Sequence, residues 1–154
     1  MIGRPAPDFS LPSTAGENIS LKQFKGKKTV VLYFYPKDET PGCTREACDF
    51  RDHAEELESA RVVVLGVSTD SLESHQHFKE KNRLPFPLLS DPDRTVMAKY
   101  GAFGEKTMYG KTVQGVIRST VWIGPDGKVR RHWARVAKAE THPEAVLAAV
   151  REAL

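Results

Sequence analysis

Cysteine is nearly absent from this chain: its 154 residues hold two, Cys43 and Cys48. That scarcity excludes a disulfide-stapled scaffold, and 40% hydrophobic residues are enough to build a core without cross-links. Long apolar runs are missing as well, so no segment reads as a membrane span. The start, Met1-Ile2-Gly3-Arg4-Pro5, has no apolar signal-peptide core. A cytoplasmic protein is the expectation, and in that reducing setting two cysteines read as catalytic or buried. Strong charge of one sign is also lacking. The 23 basic and 20 acidic residues leave a net +3, too mild a balance to imply a nucleic-acid partner. The densest basic groups, Lys25-Gly26-Lys27-Lys28 and Lys128-Val129-Arg130-Arg131, sit beside turns and read as solvated edges. With no repeat, linker or low-complexity tract, residues 1–154 are expected to form one domain.

What is present is an α/β pattern. Short strands are expected near Phe9 to Leu11 and Asn18 to Leu21. Thr29 to Tyr35 is a continuous β-branched and aromatic run, as in a strand buried on both faces. Thr40-Pro41 reads as an N-cap followed by proline at the first helical position. The helix it opens should run to about Ser59, with Ala47, Phe50, Ala54 and Leu57 along one stripe. Arg61 to Ser68 reads as a second buried strand and Ser71 as the cap of a helix through Asn82. Pro85 and Pro87 bracket an extended entry to Leu88-Leu89-Ser90, and a short helix from Arg94 to Tyr100 ends at Gly101. Ile117 to Ile123 is the next strand, and Pro125-Asp126-Gly127 turns into a return strand, Lys128 to Val136. Thr141 to Glu144 has capping-box spacing, before a helix with Val146, Leu147, Val150 and Leu154 facing inward. Strands joined by helices imply parallel crossovers, and the late hairpin adds antiparallel strands. This is the element order of a thioredoxin-like fold: a central mixed sheet flanked by helices, with extra N-terminal strands.

The chemistry converges on Cys43. A thiolate is the nucleophile, whereas a free cysteine with a pKa of about 8.5 is mostly protonated at neutral pH. If Thr40 is the N-cap, Pro41, Gly42 and Cys43 form the first turn of a helix. Free N–H groups and the positive end of the helix dipole then favour the anion. The site also follows the end of a sheet strand, where ligands enter open α/β folds.

Cys48 follows five residues later. Along an ideal helix that separation is about 7.5 Å of rise and roughly 140° of rotation, or roughly 8–9 Å between Cα atoms. A disulfide needs Cα atoms within about 7 Å, so the two thiols cannot join while the helix is intact. The spacing is not the Cys-x-x-Cys of a dithiol oxidoreductase. It is also a poor zinc site: His53 could join the pair, but zinc wants more ligands in an established spacing, so no metal is expected. His75 and His77, two apart, point away from each other on a helix and read as surface residues.

The pattern Pro36-x-x-x-Thr40-x-x-Cys43, with Cys48 behind it, resembles the active-site signature of the peroxiredoxins. The Cys-x-x-x-x-Cys pair is similar to the Q-type subgroup, also called bacterioferritin comigratory protein. Further matches are Pro7-Asp8-Phe9, Tyr33 to Asp38, Tyr100-Gly101, Met108 to Lys111 and Arg118-Ser119-Thr120. The resemblance implies a cofactor-free peroxidase acting on hydrogen peroxide and organic hydroperoxides. Cys43 would attack the O–O bond and become a sulfenic acid, and Cys48 would resolve it as an intramolecular disulfide. Thr40 would hydrogen-bond the peroxide, Pro36 would shield the sulfur, and Arg118 would hold the thiolate and polarise the peroxide. A thioredoxin-like donor would restore both thiols, and a monomer would suffice. Arginine suits its role because it stays protonated. Glu46, one turn past Cys43, either accepts bonds from Arg118 or Arg45 or is surface charge. Two rival readings are a thiol–disulfide oxidoreductase acting on protein partners and a binding or chaperone module with incidental thiols.

Overall fold

Strand β3 (Thr29–Phe34) organises the molecule. The computed structural model describes residues 1–153, so the expected inward-facing Leu154 lies outside it. Val30, Leu32 and Phe34 of β3 point into one apolar cluster, and Val31, Tyr33 and the following Tyr35 into another. The period of two along a strand separates the faces, and both are buried, as the unbroken apolar run requires. Parallel pairing joins β3 to β4 (Val62–Ser68) and β4 to β5 (Leu88–Ser90). On its other side β3 pairs antiparallel with β8 (Ser119–Ile123), which pairs antiparallel with β9 (Val129–Trp133). The sheet order is β5-β4-β3-β8-β9. This is the thioredoxin-like mixed sheet expected.

One face of the sheet carries α1 (Pro41–Asp52), α2 (Ala54–Ser59), α3 (Leu72–Asn82) and α5 (His142–Glu152). They contribute Ala47, Phe50, Leu57, Phe78, Val146, Leu147 and Val150 to that cluster. The other face is covered by the ribbon β1 (Ser10–Pro12) and β2 (Asn18–Ser20), by Leu21, and by Val96 and Met97 of α4 (Thr95–Lys99). Tyr33 fits between β3 and α1 because Gly66, its partner on β4, has no side chain. A Cβ there would stand 2.9 Å from the tyrosine hydroxyl.

Several local expectations are corrected. The helix expected to reach Ser59 breaks at His53, whose amide closes a short bond to the Phe50 carbonyl before α2 restarts. An antiparallel hairpin, β6 (Phe103–Met108) and β7 (Lys111–Val116), stands where no elements were expected. It alternates weakly and is largely exposed, so burial left no periodic signal. The capping box at Thr141 does not form. Its backbone is already helical, at φ −115° and ψ −7°, and the extended geometry that side-chain capping needs is absent.

Candidate active site

The loop after β3 delivers Cys43 to the first turn of α1. Its anchor is Asp38, a buried carboxylate that accepts bonds from the Tyr35 hydroxyl (2.6 Å) and Ser74 Oγ (2.9 Å) and lies 2.7 Å from His75 Nδ1. The Asp38 amide donates to Asp70 Oδ2 at 2.8 Å. His75 is fully buried, which overturns the expectation of a surface histidine, whereas His77 is 70% exposed as expected. The His75 Nε2 atom lies 2.9 Å from the Leu89 carbonyl, which can only accept, so Nε2 carries a proton. The network fastens the loop to α3 and β5, and it holds Glu39 in left-handed backbone at φ 69°.

Thr40 occupies the N-cap position in extended backbone, as expected, yet its side chain does not cap the helix. Its hydroxyl donates instead to the Lys37 carbonyl at 2.7 Å. The Thr40 oxygen therefore keeps lone pairs for an incoming O–H donor. The first turn keeps amide groups not capped by this side chain, at the positive end of the helix dipole. Pro36 is half-buried at the head of the same loop.

Cys43 is 1% exposed. Arg118, just before β8 and distant in sequence, reaches its sulfur: Nη2 donates to Sγ at 3.1 Å. The same guanidinium donates through Nη1 to Glu46 Oε1 at 2.6 Å. Glu46 is fully buried and bonded to Arg118, so the surface reading fails and the Arg118 reading holds. Burial pushes the Glu46 carboxyl up to about 7, against the pull of Arg118. Its second oxygen has no partner among the described residues, which accounts for part of that cost. Burial pulls the Arg118 pKa down, but Glu46 and Cys43 outweigh it and leave the guanidinium more firmly protonated than usual. A fixed cation 3.1 Å from sulfur stabilises negative charge there and on any oxygen that develops charge beside it.

The stretch Val136 to Thr141, which carries no motif, folds back onto this site. Val136 N–H donates to the Arg118 carbonyl at 2.9 Å. Ala139 packs where a Cβ on Gly42 would stand 3.9 Å away, and that same Cβ would stand 3.4 Å from Arg118 Nη2. His142 shares a 2.7 Å bond with Thr120, and burial, aided by Arg118, pushes its pKa down to about 4. It stays neutral and adds no second cation to the site.

Cys48 lies elsewhere on α1. It is partly exposed, and its Sγ donates to Asn82 Oδ1 at 3.6 Å. Both cysteines are free thiols. His53 pairs with Asp49 at 3.6 Å, and no metal-ligand cluster among the described residues contains a cysteine. Asp38, His75 and Asn82 were missed by sequence reasoning, although His75, Phe78 and Asn82 recur at three- and four-residue spacing on α3. That spacing marks one helix face.

The AhpC/TSA family model matches residues 2–132. The chain belongs to the AhpC/TSA family of peroxiredoxins. A Bcp-type relative in Coxiella burnetii is 51% identical over 141 residues, 92% of each chain. The peroxiredoxin Bcp of Escherichia coli K12 is 45% identical over 150 residues, 97% of this chain and 95% of that one. Among solved structures, the bacterioferritin comigratory protein of Xanthomonas campestris superposes with a TM-score of 0.87 at 41% identity, covering 94% of this chain and 91% of that one. That structure was described for alkyl peroxide reduction, with trapped intermediate and ligand complexes. The peroxiredoxin is thus a peroxidase that acts on peroxides and takes electrons from a thiol reductant.

Proposed function

We propose that this peroxiredoxin reduces alkyl hydroperoxides and hydrogen peroxide through Cys43, with Cys48 as the resolving thiol. The observation that carries the reading is the Arg118–Cys43 contact at 3.1 Å, at a sulfur only 1% exposed. The Cys43 thiolate attacks the terminal peroxide oxygen. An S–O bond forms, the O–O bond breaks, and the leaving alkoxide (hydroxide for hydrogen peroxide) takes a proton to become an alcohol (or water). Thr40 accepts from the peroxide O–H, Pro36 shields the sulfur, and Arg118 holds the charge that develops on oxygen. The Cys48 sulfur then attacks the sulfenic sulfur, an S–S bond forms and water leaves. A dithiol donor of the thioredoxin type reduces the disulfide by two exchange steps and is itself oxidised. Prompt resolution also protects Cys43 from further oxidation to sulfinic acid.

Helix α1 must open for the disulfide to form, because residues five apart on an intact helix are too distant. Residues 1–154 act as one domain, which is supported by two apolar clusters sharing a single sheet. One chain holds both cysteines, which suits a monomer, and a count of two cysteines suits a reducing compartment such as the cytoplasm. No helix among the described residues is long and apolar enough to cross a membrane. The rival oxidoreductase reading gains nothing from the structure, since a sulfur 1% exposed is a poor target for a protein disulfide.

The decisive experiment gives fully reduced protein one equivalent of peroxide and follows intact mass and free thiols. Rapid loss of both thiols, with the mass of one internal disulfide, is expected. Oxidation at the rate of an ordinary exposed thiol would refute activation of Cys43. The Cys48→Ser protein should consume one equivalent and then stall with a thioredoxin donor. Continued turnover by that variant would remove Cys48 from the cycle.

A further inference from the structure

Asn82, the last residue of α3, touches α1 at two points. Its side-chain oxygen accepts from the Cys48 thiol at 3.6 Å, and its backbone carbonyl accepts from Arg51 Nη1 at 2.7 Å. The carboxamide orientation is set independently. Its Nδ2 donates to the Phe78 carbonyl at 3.0 Å, a group that can only accept, so Oδ1 must face the sulfur. The chain then leaves α3 through Arg83 in left-handed backbone at φ 53°, with Leu84 N–H closing onto the Lys79 carbonyl at 3.0 Å. Asn82 therefore sits on a well-tied helix end and not on a loose loop. At the other end of α3, Ser74 and His75 hold Asp38 in the loop that leads to Cys43. One helix thus braces α1 on both sides of the segment that has to open.

We propose that Asn82 is a latch on the resolving thiol: its side-chain oxygen keeps Cys48 docked against α3, away from Cys43, and its release controls the rate of disulfide formation. The inference rests on reading Cys48 as the resolving thiol. Asn82 touches neither peroxide nor Cys43, so it is a positioning residue, and its effect belongs to the second chemical step alone. Removing the acceptor frees Cys48 to follow the unwinding helix. The rate of disulfide formation should rise about two- to tenfold, the factor carried by one net side-chain hydrogen bond.

The test compares wild type, Asn82→Ala and Asn82→Asp. Reduced protein is mixed with limiting hydrogen peroxide, quenched by thiol alkylation at successive times, and read by intact mass for sulfenic acid and disulfide. Both variants lose the Nδ2 bond to Phe78, and both keep the backbone carbonyl that holds Arg51. Only Asn82→Asp keeps an acceptor for the thiol. The expected result is unchanged sulfenic acid formation in all three proteins, faster disulfide formation in Asn82→Ala, and no acceleration in Asn82→Asp. Equal disulfide rates in all three, or acceleration in both variants, would overturn the latch while leaving Cys48 in its role. Absence of any Cys43–Cys48 disulfide in wild type would instead overturn the reading on which the latch rests.

Discussion

Cys43 and Cys48 share one helix and almost nothing else. Cys43 is buried in the apolar cluster beneath α1, with a guanidinium 3.1 Å from its sulfur. Cys48 is partly exposed, and its partner is a neutral carboxamide. About 140° of helical rotation separates them, enough to place one on the stripe with Glu46, Ala47 and Phe50 and the other against the end of α3. The same side chain meets a cation on one face and a neutral carboxamide on the other. In the proposed cycle the partner residue assigns the roles, since the cysteines themselves are identical.

The comparison can be broken most severely at the sulfur. Cys43→Ser should abolish peroxide-dependent turnover in a coupled assay while leaving the circular dichroism spectrum unchanged; residual turnover near wild type would move the chemistry to Cys48. Arg118→Met removes the cation but keeps much of the side chain's apolar stem. Its second-order rate constant with peroxide should fall about 10²–10³-fold, the loss typical of a group that stabilises developing charge. A rate within a few-fold of wild type would show that the helix start alone activates the sulfur.

The anchor of the Cys43 loop offers a stability test. His75→Ala leaves the buried Asp38 carboxyl without one of its partners, and denaturant unfolding should report a loss of about 1–3 kcal/mol. A smaller loss would mean that Tyr35 and Ser74 satisfy Asp38 unaided.

The finest distinction is electrostatic. Glu46 has a folded pKa of about 7 against its usual 4.5, so between these values the folded state holds a proton that the unfolded state has released. Stability attributable to Glu46 therefore falls as pH rises from about 4.5 to about 7 and is flat above. His142, pushed down from 6.5 to about 4, acts in the opposite sense, and its contribution falls as pH drops through that window. The two slopes oppose each other in wild type. Relative to Glu46→Gln, wild type should lose about 3 kcal/mol between pH 4.5 and 7. Parallel stability profiles for the two proteins would show that Arg118 fully compensates the buried carboxylate.

Much of this architecture is legible in the order of the residues alone. The unbroken apolar run of β3 announces a strand buried on both faces, and Thr40-Pro41 marks where α1 begins. The spacing of Cys43 and Cys48 already requires α1 to open for a disulfide. Arg118 is legible only through resemblance, because nothing local to residue 118 points to residue 43. Glu46 cannot be decided that way, since a carboxylate on a helix is usually solvated and only the tertiary position of Arg118 makes burial tolerable. His75 misleads for a related reason: its partner Asp38 lies 37 residues away, and single-helix geometry cannot show it. The β6–β7 hairpin escapes notice because its strands are at most half-buried and alternate too weakly for periodicity to detect.

The break at His53 has a mechanical meaning. Helices melt cooperatively, and an uninterrupted helix from Pro41 to Ser59 would carry fraying at its first turn toward the part that packs on β4. With α1 and α2 divided, the interruption works like a perforation in a sheet of paper. In the proposed cycle the tear that brings Cys48 to Cys43 has a set end, and the Leu57 contact with the core lies beyond it. The proposed redox cycle, which opens and recloses the same helix on every turnover, thereby repeats within one short segment, and the rest of the domain is left as the template on which that segment refolds.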